Sequence, residues 1–176
     1  MRALSALLQA LTAALVITGC SGPGSVQAKP PAAPIASPPR VGCDQTIQQT
    51  GAPGGRIVLG VLAVPPAHLP TAVPSGSRPW RYFRKYGLAI RAGSPAVLIT
   101  VPAAWRHRAA IGWGNNIGVV SSLRLLSCPR QLGAWNGYAG GFYLRSASGC
   151  VPLVVEIGRR AATLRFAIGR SCSSAT

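Results

Sequence analysis

CVPLVVEIGRRAATLRFAIGRSC, residues 150–172, changes character at every second position. Val151, Leu153, Val155 and Ile157 fall on one face, while Pro152, Val154 and Glu156 fall on the other. Further on, Leu164, Phe166 and Ile168 alternate with Thr163, Arg165 and Ala167. Period two is the side-chain repeat of an extended strand, so two such runs parted by Gly158-Arg159-Arg160-Ala161 predict a β-hairpin. Pairing Ile157 with Leu164 sets Cys150 opposite Ser171, one place from Cys172. A bulge at Gly169 would restore register and bring the two cysteines together.

The same pattern extends outward from that hairpin. RIVLGVLAV (56–64) is apolar on both faces and suits a central strand, and AVLITV (96–101) alternates weakly. RAAIGW (108–113) groups Ala109, Ile111 and Trp113, and IGVVSSLRLLS (117–127) sets Val119, Leu123 and Leu125 inward with Arg124 outward. Phe142 and Leu144 alternate with Tyr143 and Arg145. Gly, Pro, Asn and Ser separate these runs, and no segment beyond residue 20 has helical amphipathicity. The expectation is an all-β fold, a two-sheet β-sandwich of about six to eight short strands, with a small closed β-barrel as the alternative.

Cys43, Cys128, Cys150 and Cys172 form an even set within the expected domain, which suits two disulfides in an oxidising compartment. Three pairings are open; the hairpin favours Cys150–Cys172, which leaves Cys43–Cys128. No C-x-x-C spacing is present and both His lie far from any Cys in sequence, so a zinc site, or any other metal or cofactor site, is not expected.

The amino-terminal stretch MRALSALLQALTAALVITGC sets Arg2 before an apolar run from Leu4 to Ile17, with small Gly19 ahead of Cys20. That is the layout of a cleaved signal peptide over residues 1–19, and the apolar run falls short of the roughly 20 residues a bilayer crossing needs. Its close resembles the bacterial lipobox. The resemblance, confined to residues 1–20, implies cleavage before Cys20, a diacylglycerol on its sulfur and an acylated amino group. The mature chain would then be held on the extracytoplasmic side of the cell membrane; an ordinary signal peptide with a nearby cysteine is the plainer alternative. Residues 20–40 carry six prolines after Cys20 and read as a disordered, Pro-rich tether. In polyproline II it would reach about 60 Å. Residues 41–176 then make one disulfide-stapled β domain.

Eighteen Lys and Arg stand against two acids, Asp44 and Glu156, for a formal charge of +16. Such a surface attracts anions over about 8 Å at physiological ionic strength. Sixteen of the cations are Arg, which GC-rich coding alone can produce, but that bias does not exclude Asp and Glu codons. Catalytic groups are scarce: the domain offers Asp44, Glu156, His68 and His107, with no G-x-S-x-G or S-x-x-K motif. Glu156 reads as a partner for a neighbouring Arg, and His107, between Arg106 and Arg108, as an exposed neutral loop histidine. An enzyme is not expected.

SRPWRYFRKYG (77–87) interleaves Arg78, Arg81, Arg84 and Lys85 with Trp80, Tyr82, Phe83 and Tyr86. Forked guanidinium donors match phosphate or carboxylate, and aromatic faces accept sugars or headgroups. Burial of those rings in the core is the competing reading. The same choice applies to GAWNGYAGGFYLR (133–145), where Trp135 and Tyr138 are candidate platforms. Its W-x-x-Y-x-G-G-F stretch, Trp135 to Phe142, resembles one found with a cysteine-bounded terminal hairpin in uncharacterised exported proteins. That resemblance implies no activity.

The expected function is a membrane-anchored lipoprotein whose non-catalytic basic domain binds an anionic envelope component: a cell-wall polymer, acidic lipid or glycan. An accessory subunit docking on another exported protein is the alternative, and a hydrolase ranks below both. Nucleic acid is not an expected partner, since export keeps the domain from cytoplasmic DNA and no binding motif occurs.

Overall fold

The computed structural model describes residues 37–50, 54–76, 78–115, 117–130 and 133–172. The expected signal peptide, Cys20 and the tether up to residue 36 lie outside the described residues.

Fifteen strands, β1 to β15 in chain order, form three sheets among the described residues. The largest has the order β1 (Arg40–Val41), β11 (Ser122–Leu125), β9 (Val97–Thr100), β14 (Gly149–Ile157), β15 (Arg160–Ile168) and β5 (His68–Leu69). Its two outermost pairings are parallel and the others antiparallel. A four-stranded antiparallel sheet runs β10 (Ala109–Trp113), β13 (Gly140–Leu144), β7 (Tyr82–Lys85) and β6 (Val73–Pro74). A five-stranded one runs β2 (Gln48–Thr50), β12 (Trp135–Tyr138), β8 (Leu88–Arg91), β4 (Leu62–Val64) and β3 (Arg56–Val58).

The two smaller sheets are halves of one bent layer. β7 passes into β8 through Tyr86-Gly87 and β12 into β13 through Ala139, so each chain run begins in one sheet and ends in the other. At the bend the Tyr86 N–H donates to the Gly140 carbonyl at 2.8 Å. This layer meets the six-stranded sheet through an aromatic knot. The Phe166 ring of β15 lies 5.0 Å from Phe142 of β13 and 5.2 Å from Tyr86, while Trp113 of β10 packs edge-on against Phe142 at 5.8 Å. Apolar side chains of all three sheets join one buried core. The architecture is a β-sandwich, not closed into a barrel.

The hairpin that opened the reading is present, with the predicted inward face. Val151, Leu153, Val155, Ile157, Leu164, Phe166 and Ile168 are all buried. Its register differs: Ile157 pairs with Arg160, not Leu164, across a two-residue turn of Gly158 (φ 59°) and Arg159. A tight turn with a left-handed residue matches the twist of the flanking strands, and a shift of four residues is even, so no side chain changes face. Cys150 therefore sits opposite Ala167. Gly169 (φ 62°) ends β15 and turns the chain, so that Cys172 comes within 5.1 Å of Cys150, Cα to Cα, and bonds to it. Cys43 bonds to Cys128, which completes the favoured pairing.

The strand count exceeds expectation because turns divide long apolar runs and short edge strands extend the sheets. RIVLGVLAV is not one central strand but the β3–β4 hairpin. Leu59 (φ 51°) and Gly60 (φ 73°) both adopt left-handed backbone, as this tight turn class requires. Arg160 donates to the Leu59 carbonyl at 2.9 Å and Arg91 to that of Gly60 at 3.0 Å, satisfying acceptors that the turn leaves outside the ladder. Val119, expected inward, is exposed, because β11 starts only at Ser122. Sheet pairing begins two residues before the expected domain start, where the Pro39 carbonyl accepts from Arg124 N–H.

Candidate functional site

Four arginines converge on one depression beside the Cys150–Cys172 bridge. β14 and β15 bring Cys150 and Arg165 there from the hairpin's open end, and the bridge holds the segment carrying Arg170 alongside. β13 ends at Leu144, which delivers Arg145, Ser146 and Ser148. The turn before β10 adds Trp105, His107 and Arg108, pinned by backbone bonds from Arg108 N–H to the Trp105 carbonyl (2.8 Å) and from Arg145 N–H to the Arg108 carbonyl (3.1 Å). The depression is open to solvent and has a volume of about 600 Å³.

Its electrostatics are one-sided. Arg108, Arg145, Arg165 and Arg170 line it, and no carboxylate does. Guanidinium groups gathered without an internal counter-charge repel one another, and an entering anion relieves that repulsion while accepting forked N–H donors. Two rings orient the cations: Arg108 lies over Trp105 at 5.5 Å and Arg145 over Trp80 at 5.8 Å. Arg108 Nε also donates to His107 Nε2 at 3.0 Å, which engages that imidazole nitrogen as an acceptor. Glu156 does not meet an arginine across its ladders; its register partners are Ala161 and Leu98.

The residues singled out from sequence divide between surface and core. Arg78, Arg81 and Tyr82 line a second, smaller depression, and Trp80 supports Arg145 in the first. Lys85 is exposed but lines neither. Arg84 is turned back into the fold, donating to the Thr71 carbonyl at 3.1 Å. Trp135 and Tyr138 are not ligand platforms, because both are buried. Trp135 packs with Ala63 and Ala89 beneath the Arg91 guanidinium, 4.8 Å from its ring. Tyr138 donates to the Leu126 carbonyl. Burial, reinforced by the Asp44 carboxylate, pushes the Tyr138 phenol up to about 12.

The glycines of W-x-x-Y-x-G-G-F have a structural reason. A Cβ on Gly140 would lie 2.1 Å from the Gly112 carbonyl oxygen, and one on Gly141 would lie 2.1 Å from that of Arg84. The stretch is a close crossing of strands that seats Phe142 in the core.

Sequence reasoning missed Arg108, Arg145, Arg165 and Arg170 as a group. Each alone reads as an outward-facing residue or a loop cation, and only the pairing of β10, β13, β14 and β15 brings them together. Their one local signal was the nearness of Arg165 and Arg170 to Cys172.

No family model, curated protein or solved structure matches this chain.

Proposed function

We propose that the protein is a lipid-anchored, exported envelope protein whose non-catalytic basic domain binds an anionic component, with the Arg108–Arg145–Arg165–Arg170 depression as the seat for the anion. The observation that carries this reading is the gathering of four guanidinium groups in one concavity that no carboxylate lines. The formal charge of the full chain, +16, of which only Arg2 leaves with the expected signal peptide, draws anions toward it. The anchor is the expected lipid on Cys20, joined to the domain through the Pro-rich residues 21–38.

Docking on another exported protein would be served by one contiguous apolar patch. Among the described residues the exposed large apolar side chains are instead spread over separate edges: Ile47 and Ile57 flank opposite sides of the five-stranded sheet, Val73 lies on β6, and Val119 lies beside β10. Charge is the better-supported basis for recognition.

Sedimentation of soluble, oxidised residues 41–176, which lack the anchor, with purified cell-wall material and with anionic vesicles, at about 50 mM and about 500 mM salt, tests the proposal through screening. Binding at low salt that is lost at high salt is expected; binding equal at both would point to an apolar partner. For the anchor, Cys20→Ala should move the protein from the membrane to the soluble fraction. A variant still cleaved at the same bond and still membrane-bound would refute lipidation.

A further inference from the structure

We infer that the ligand is a linear polyanion carrying an anionic group at each repeat, laid across two adjacent depressions, not a single small anion or a membrane surface. This rests on the anion-binding reading and names its ligand class. The second depression, about 370 Å³, is lined by Arg78, Arg81 and Tyr82 with Pro74 and Gly76. It adjoins the first through Trp80, which lies between Arg78 and Arg81 in the chain and stacks under Arg145, a lining residue of the first. Backbone pairing fixes this adjacency: Tyr82 of β7 is the register partner of Leu144 of β13, immediately before Arg145. Ser75 Oγ donates to the Trp80 carbonyl at 2.7 Å, which ties the Trp80 backbone to the turn between β6 and β7.

Two cationic basins joined by an arginine-capped aromatic ridge match an extended chain of repeated charges. A lone phosphate is much smaller than either basin and cannot engage both at once. Docking on a bilayer would combine headgroup charge with apolar side chains inserted beside it. The exposed apolar side chains that would insert into lipid, Ile47, Ile57, Val73 and Val119, line neither depression. Joining the basins makes engagement of the second intramolecular, which raises affinity without new contacts.

The test is equilibrium binding of the full, oxidised protein to orthophosphate, a short oligophosphate, long-chain inorganic polyphosphate and phosphatidylglycerol vesicles. Long chains should bind about a hundredfold more tightly than short ones, as expected for two linked sites. Arg78→Ala with Arg81→Ala should remove most of that gain and flatten the salt dependence for the long chain. Arg145→Ala with Arg165→Ala should weaken the binding of short and long chains alike. Equal affinity for short and long chains, with only the second pair of variants affecting binding, would overturn the two-basin inference while leaving the single anion seat intact. Binding to phosphatidylglycerol vesicles that exceeds binding to neutral phosphatidylcholine vesicles, which accounts for the anchor, and that is tighter than binding to polyphosphate would overturn it in favour of a lipid surface. No binding to any probe at low salt would overturn the anion-binding reading itself.

Discussion

Residues 78–87 and 133–145 read alike in the sequence, each mixing aromatic rings with arginine or glycine, yet they finish on opposite sides of the surface. In the second stretch Trp135, Tyr138 and Phe142 are buried. In the first only Tyr86 is, its hydroxyl donating to the Pro65 carbonyl at 2.7 Å, while Trp80 stays at the rim under Arg145. Two things separate them: the glycines that let β13 approach β7 and β10 closely, and the bend at Tyr86-Gly87 that turns one ring into the core. Aromatic and cationic composition marks neither binding nor burial; strand phase and backbone clearance decide between them.

The comparison breaks most visibly in the core. Phe142→Ala should cost about 4 kcal/mol in a urea unfolding experiment, because it empties the centre of the aromatic knot. A loss below about 1 kcal/mol would mean that the two layers do not depend on that contact. Gly141→Ala should cost about 3 kcal/mol, since its methyl would collide with the Arg84 carbonyl. Gly149→Ala, at the edge of the arginine depression with no atom in the way, should change stability by less than about 0.5 kcal/mol.

At the rim the pattern should invert. Replacing Arg145, Arg165 and Arg170 together by Gln should reduce polyanion affinity at least about tenfold, or 1.4 kcal/mol, while leaving the urea midpoint unchanged. A coupled loss of stability would show that those cations support the fold instead.

The smallest effect concerns buried phenols. Tyr138 is raised in the folded state to about 12, against about 10 in an unfolded chain. The folded form therefore holds the proton more tightly, and this contribution is fully present below about pH 10 and lost as pH rises through about 12. Tyr86 shifts in the same direction through burial, partly offset by Arg56. Stability should be insensitive to these groups at neutral pH and fall steadily above about pH 10. Tyr138→Phe should cost about 1 kcal/mol and make that alkaline fall shallower.

Fold class and both disulfides were legible because period two in 151–157 and 162–168 is a strong local signal and four cysteines leave few pairings. Register was not: the turn after Ile157 depends on backbone conformation at Gly158 and Arg159, which the apolar pattern does not encode. The division of 56–64 into a hairpin was hidden for the same reason, since Leu59 carries no mark of a left-handed turn. The candidate site was half legible. Arg78, Trp80 and Arg81 stood together in sequence, whereas Arg108, Arg145, Arg165 and Arg170 are scattered over 63 positions and meet only through long-range pairing.

The most direct test of the anion seat is nuclear magnetic resonance of the arginine Nε–H groups during titration with polyphosphate. If the depression is the seat, the signals of Arg108, Arg145, Arg165 and Arg170 shift first and saturate, while those of Arg56, Arg124 and Arg159 move only as the general charge is screened. A small, uniform shift across all sixteen arginines, with no saturation, would show diffuse attraction and contradict the assignment of a site.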